Sequence, residues 1–266
     1  MSRKKICVFS NETELSLETR ELLLKAFAEA GYEVSEKYGE DAELIVCVGG
    51  DGAFIKALHL NGFPDIPFLG INTGHLGFFQ EFFPDKVTDI IDDYRQGKYR
   101  VQKYATVKAE ISAKGVKEEL PALNEIVIRS YDSYTIHLNI SIGDSFIERF
   151  SGDGICVASS AGSTGYNYSL RGSIIDPRLK VLQVTPIAPM NTTAYRSFTS
   201  SLILPSDLYL RVTPEEGYEK IRVVTDSIDR SYEKVKEIKV KLSEKEVMLL
   251  RFENYDFWNK VKTKFL

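Results

Sequence analysis

Cysteine is sparse in this sequence: Cys7, Cys47 and Cys156 are the only three in 266 residues, and each stands alone inside an apolar run. None has the paired spacing of a zinc site or a disulfide framework, so neither device organises the chain, and the thiols read as buried groups in a reducing compartment. Long hydrophobic runs are missing as well. No stretch approaches the roughly 20 apolar residues that cross a bilayer. The run behind the basic start Met1-Ser2-Arg3-Lys4-Lys5, from Ile6 to Phe9, is too short for a signal-peptide core. A cytoplasmic protein without a membrane partner is expected. Nor is there a surplus of one charge. Lys and Arg number 34 against 38 Asp and Glu, a formal net charge of −4, and no block of cations stands out. The electrostatic footprint of a dedicated nucleic-acid binder is therefore absent, and nucleic acid is not an expected partner. Internal repeats and low-complexity segments are absent too.

What is present is ordinary globular material, 43% apolar and 27% charged, enough for a sizeable interior and, at this length, for two domains. Residues 4 to 9 form an apolar strand. Ser16 is expected to cap a helix whose inward face is Leu23, Ala26, Phe27 and Ala30 and which Gly31 stops. Glu43 to Val48 is nearly all apolar, as a strand covered on both faces would be. A second helix is expected after Gly52 and another buried strand over 67 to 71, so strand and helix alternate as in a parallel α/β sheet. From about residue 99 apolar and polar residues alternate over short segments. Ile136, Leu138, Ile140 and Ile142, then Gly143-Asp144 and a strand over 145 to 150, read as a tight hairpin. Leu208-Leu210-Val212 and Ile238-Val240-Leu242 alternate likewise, and Phe257, Val261 and Phe265 at the end have helical spacing. The expected architecture is an α/β domain, 1 to 98 plus the returning segment 253 to 266, and a β-rich domain over 99 to 252.

Four motifs carry chemistry. Val48-Gly49-Gly50-Asp51-Gly52 closes a buried strand, where ligands of open α/β sheets bind. Its glycines let the backbone approach phosphate oxygens, and Asp51 would accept a hydroxyl proton or hold Mg²⁺; the bland alternative is a turn in which Asp51 caps the next helix. No Gly-Lys-Ser or Gly-Lys-Thr follows, and there is no Gly-x-Gly-x-x-Gly fingerprint. Asn72-Thr73-Gly74-His75-Leu76-Gly77-Phe78-Phe79 follows the next strand and should line the same edge. Phe78 and Phe79 either cover a base or ribose or pack in the core, and His75 reads as a switchable acid or base or, more readily, as a histidine bonded within its own loop. Leu123-Asn124-Glu125 joins an amide and a carboxylate, which without the other motifs reads as exposed loop polarity. Last come Ser151-Gly152-Asp153-Gly154 and Ala161-Gly162-Ser163-Thr164-Gly165-Tyr166, a loop region rich in donors around the buried-looking 155 to 158.

Taken in order, Gly49-Gly50-Asp51-Gly52, Asn72 to Phe78, Asn124-Glu125, Gly152-Asp153-Gly154, Gly162 to Tyr166 and Val184-Thr185-Pro186-Ile187-Ala188-Pro189 resemble the NAD kinase family. Gly-Gly-Asp-Gly also recurs in diacylglycerol, sphingosine and phosphofructokinase relatives, but the second half matches the NAD group. The resemblance implies the NAD kinase-like two-domain fold, an α/β domain with a parallel sheet followed by a β-rich one. It also implies transfer of phosphate from ATP, with a divalent metal such as Mg²⁺, to the 2′-hydroxyl of the adenosine ribose of NAD. Asp51 would take the hydroxyl proton. Gly50, Gly52, Phe78, Asn124, Glu125, Asp153, Thr164, Gly165, Tyr166, Ser169 and Ala188 would line the dinucleotide site, with no metal ligand assigned. A homodimer or homotetramer is implied as well. Departures from the family pattern are Ala53 for threonine, Ser159-Ser160-Ala161 for Thr-Pro-Thr or Thr-Pro-Ser, Gly165 for alanine, Arg171 for glycine and Ser227 near Asp226 for glycine. Arg171 reads as an added phosphate contact or as a solvated cation.

Overall fold

The computed structural model describes residues 4–132, 134–253 and 255–265. Met1, Ser2 and Arg3 of the basic start lie outside them. The chain divides into two compact units, Met1–Lys103 with Val247–Leu266, and Tyr104–Glu246.

The first unit holds β1 (Lys5–Ser10), α1 (Glu14–Glu29), β2 (Glu33–Ser35), β3 (Ala42–Val48), α2 (Asp51–Leu60), β4 (Phe68–Ile71) and α3 (Val87–Arg95). The strands run parallel in the order β2-β1-β3-β4. Leu44 to Val48 are all fully buried, as expected of a strand with both faces covered. Leu23 and Phe27 of α1 and Val87, Ile90, Ile91 and Tyr94 of α3 close a core around Ile6, Val8, Val46 and Leu69. Ser16 is not the cap expected of it. The helix begins at Glu14 behind Thr13, and Ser16 lies buried in the first turn, where its hydroxyl meets those of Thr13 at 2.8 Å and Thr73 at 2.5 Å. Helix α2 starts at Asp51 itself, with Gly50 in the cap position.

The second unit is built from β5 (Arg100–Ala113), β6 (Val116–Ala122), β7 (Glu125–Ser130), β8 (Ile136–Ile142), β9 (Ser145–Gly152), β10 (Gly154–Ala158), the short α4 (Tyr166–Ser169), β11 (Val181–Ile187), β12 (Leu202–Pro205), β13 (Leu210–Pro214), β14 (Ile221–Thr225), β15 (Ile228–Tyr232) and β16 (Val235–Arg251). The last helix, α5 (Phe257–Phe265), belongs to the first unit, as does the end of β16, where Leu249 pairs in parallel with Phe68. One antiparallel sheet has the order β12-β11-β10-β7-β14-β15. In the other, β16 pairs with β5 and β13, β13 with β8, and β8 with β9. Alternate residues of both sheets, among them Ile126, Ile128, Leu138, Ile140, Ile155, Leu210, Val223 and Val240, meet in one core. The hairpin forms with Gly143-Asp144 as its turn, whereas Leu208 lies outside β13 and packs on the core from the preceding turn. Residues 154 to 158, flanked by loop chemistry in the sequence, form a central strand with all five residues buried.

Candidate functional site

In the first unit the two glycine-rich loops leave the carboxyl ends of neighbouring parallel strands, β3 and β4, and are stitched together: Gly49 N–H donates to Ile71 C=O at 2.9 Å. Gly49 has φ +143, and a Cβ there would lie 2.6 Å from that of Ala53, so the turn requires glycine and the small residue beneath it fits close under it. Asp51 does not cap α2. Its carboxylate reaches the second loop, where Phe78 N–H donates to both oxygens at 3.0 Å and Phe79 N–H donates to Oδ1 at 3.0 Å. The carbonyls of the same two residues are held from the other side by Arg251, fully buried, which donates to Phe78 C=O at 3.1 Å and pairs with Glu81 at 3.3 Å. Lys260 Nζ donates to Gly77 C=O at 3.1 Å and also to Gln80 C=O. Burial, with Arg251 nearby, lowers the Lys260 pKa to about 8. Lys264 Nζ stands 3.9 Å from Asp51 Oδ2. Nothing local in the sequence marks Arg251, Glu81 or Lys260, because each acts across the fold.

Both phenylalanines are buried. Phe79 stacks on Phe54 with centroids 4.9 Å apart, and the Phe78 ring lies against Phe257 and Phe265 of α5 at 5.7 and 5.9 Å. Core packing is the outcome for Phe79. Phe78 addresses Asp51 through its peptide N–H. His75 is exposed and hydrogen-bonds no described residue, contrary to the expectation that it is tied to its loop. Gly50 is half-buried at the helix cap and Gly52 exposed in the first turn.

In the second unit Glu125 starts β7 with Asn124 just before it, and their geometry is set by Asp226. Its carboxylate accepts the N–H groups of Leu123 at 2.6 Å, Asn124 at 2.8 Å and Glu125 at 3.3 Å. Asp226 and Ser227 form the two-residue turn between β14 and β15 with φ +47 and +73, the left-handed pair such a turn needs. Ser159 Oγ donates to Leu123 C=O at 2.5 Å and accepts Gly162 N–H at 3.2 Å. Gly162 approaches so closely that a Cβ would lie 2.0 Å from Asn124 O. Thus the altered segment 159 to 161 still binds the Asn124-Glu125 motif to the region of Thr164, Gly165 and Tyr166. Glu125 is buried, and among the described residues neither its Oε2 nor Asn124 Oδ1 has a hydrogen-bond partner. Burial first, and the charge of Asp226 second, push the Glu125 carboxyl up to about 8. A Cβ on Gly165 would stand 3.2 Å from Glu125 Oε2, so the glycine leaves that oxygen room. Tyr166 and Ser169 lie exposed on α4, Thr164 is half-buried, and Asp153 and Ala188 are exposed at neighbouring strand ends, Asp153 N–H donating to Ile187 C=O at 2.9 Å. Arg171 has φ +64 and is exposed without a partner among the described residues; it is a solvated cation in this structure.

The models of the ATP-NAD kinase N-terminal domain and of the ATP-NAD kinase C-terminal domain match residues 9–99 and 123–252. An NAD kinase of Finegoldia magna is 36% identical over 99% of this chain and 98% of its own length. The chain belongs to the ATP-NAD kinase family. Its activity is ATP-dependent phosphorylation of NAD to NADP. An NAD kinase of Staphylococcus carnosus is 33% identical over 85% of this chain and 86% of its own. The fold is that of the crystal structure of yeast NADH kinase complexed with NADH, with TM-score 0.85, 19% identity, and 99% of this chain and 87% of that one covered. An NAD kinase from Archaeoglobus fulgidus in complex with ATP gives TM-score 0.76 at 24% identity, covering 97% of this chain and 99% of that one. No helix among the described residues is long and apolar enough to cross a membrane.

Proposed function

We propose that Asp51 is the catalytic base of the transfer. The α/β domain, 1 to 98 with 253 to 266, supplies it, and the β-rich domain, 99 to 252, binds the dinucleotide. Asp51 accepts the proton of the 2′-hydroxyl of the adenosine ribose as that oxygen attacks the γ-phosphorus of ATP. The bond to the β,γ-bridging oxygen breaks, and ADP leaves. Phosphoryl transfer asks for positioning more than for covalent chemistry, and the observation that carries this reading is the fixation of the Asp51 carboxylate by the Phe78 and Phe79 N–H groups at the mouth of a parallel sheet. The Gly50 and Gly52 backbone lies at the N-terminus of α2, where phosphate oxygens are favoured.

Asn124 and Glu125, with the unpartnered oxygens they bring, serve as dinucleotide ligands. Asp153, Thr164, Gly165, Tyr166, Ser169 and Ala188 complete that surface, and Phe78 serves the site indirectly, its N–H fixing the Asp51 carboxylate. A divalent ion belongs to the same reading. The described residues contain no group of three or more His, Cys, Asp or Glu side chains that fits one, so the ion would arrive on the phosphates of ATP rather than sit in a protein cage. Cytoplasmic placement, in line with three free buried thiols, and assembly as a homodimer or homotetramer are part of the proposal.

The test is Asp51→Asn, which keeps one acceptor oxygen for the loop. With NADP formation coupled to an NADP-specific dehydrogenase, kcat should fall about 10² to 10⁴-fold while NAD still binds. Wild-type turnover in the folded variant would remove the role given to Asp51.

A further inference from the structure

Strands β7 and β14 place Arg129 and Arg222 directly opposite each other in the antiparallel register. The alternation along both strands fixes the face: Ile126, Ile128, Ile221 and Val223 point into the core, so Glu125, Val127 and Arg129, with Arg222 and Val224, share the other side. Like charges directly opposed across a strand pair are destabilising. Arg129 is uncompensated among the described residues, and Arg222 only partly compensated. Arg129 is half-buried and makes no hydrogen bond or ion pair with a described residue. Arg222 Nε is buried with no hydrogen bond to a described residue; the half-exposed Asp229 pairs with it at 3.4 Å, and the Arg222 guanidinium carbon lies 5.4 Å from the Tyr131 ring centre. Beyond Arg129 in the same row stands Gly154, which contributes no side chain. The result is a cavity of about 180 Å³ lined by Arg129, Arg222, Ser130, Tyr134 and Asp153.

We propose that Arg129 and Arg222 form an anion subsite that binds the diphosphate of the dinucleotide. Two planar forks converging on one space suit phosphate oxygens, each able to give paired charge-assisted hydrogen bonds. Asp153 repels a phosphate but accepts from a hydroxyl, so the cavity selects a phosphate joined to a sugar over a bare anion. Glu125 stands four residues earlier on the same face of β7, roughly 13 Å away at about 3.3 Å per residue, within the span of one dinucleotide. The bound anion relieves the repulsion the empty pair carries. This inference rests on the reading that the β-rich domain binds NAD.

Calorimetric titration without ATP separates it from the role of Asp51. Wild type, Arg129→Gln, Arg222→Gln and the double variant are titrated with NAD, with nicotinamide riboside and with inorganic pyrophosphate. The Kd for NAD should rise about tenfold in each single variant and further in the double one. Affinity for nicotinamide riboside, which lacks phosphate, should not change. Pyrophosphate should bind wild type weakly and the double variant not at all. Without ligand the variants should melt no lower than wild type, because a like-charge pair has been removed, which a merely structural arginine would not allow. Unchanged NAD affinity in the folded double variant overturns the proposal, and so does loss of pyrophosphate binding alone, which would mark a site for a free anion.

Discussion

Asp226 is the residue through which the second unit's chemistry can be broken without touching a group assigned to substrate. Its carboxylate takes three peptide N–H groups at 2.6, 2.8 and 3.3 Å, in a place where Asp226 itself is 6% exposed and water has little access. Asp226→Ala strands those donors. A buried N–H without an acceptor costs about 1 to 3 kcal/mol, and the longest of the three bonds contributes least. Against this stands relief of the repulsion between Asp226 and Glu125. A net loss of roughly 2 to 4 kcal/mol follows, which for a chain of this size lowers Tm by about 5 to 15 °C. Asp226→Asn keeps one acceptor oxygen and should lose about half as much. Amide hydrogen exchange reads the cause as well as the size: protection at Leu123, Asn124 and Glu125 should collapse in Asp226→Ala while the central strand β10 stays protected. The KM for NAD should rise with little change in that for ATP. If Asp226→Ala keeps both the wild-type Tm and the protection of those amides, the carboxylate does not hold the Asn124-Glu125 motif and the reasoning fails.

Glu125 carries a signed pH effect. Its folded pKa, raised to about 8 by burial and by Asp226, lies above the unfolded carboxylate value, so the native state favours the protonated form. Stability from this group is therefore present below the unfolded pKa and is lost as pH climbs through the interval up to 8. Glu125→Gln should overtake wild type in Tm between pH 5 and 9, the gap growing to the order of a few kcal/mol, whereas a constant gap over that range would contradict the buried, proton-bearing carboxyl. Ser227 and Arg171 stand at φ +73 and +64, each a left-handed residue with a Cβ. Ser227→Gly and Arg171→Gly should each raise the urea midpoint, reflecting a stability gain of about 0.5 to 1 kcal/mol once the greater freedom of glycine in the unfolded chain is subtracted; a lower midpoint would mean that the side chains hold these turns.

What the sequence shows of all this divides by range. The run from Leu44 to Val48 reads as a strand covered on both faces, and the glycines around Asp51 behind it as a tight passage at the sheet's edge; both readings need a few adjacent residues. The same holds for the Gly143-Asp144 hairpin. Helix starts are less legible, because Thr13 and Ser16 are both competent caps and tertiary contact with Thr73 decides between them. Phe78 and Phe79 are ambiguous for a like reason: an aromatic pair at a loop looks the same whether its rings meet a ligand or Phe54, Phe257 and Phe265. The parts that hold the candidate site in shape are the least visible. Arg251 reaches the Phe78 carbonyl, and Asp226 the 123 to 125 amides, from far along the chain. Arg129 and Arg222 become a pair only when β7 and β14 adopt one register, and a slip by one residue would turn Arg222 into the core and Val223 out of it. The burial of Ile221 and Val223 thus pins the two guanidinium groups side by side on the outer face: the hydrophobic core sets the register, and the register creates the charge concentration that a phosphate would neutralise.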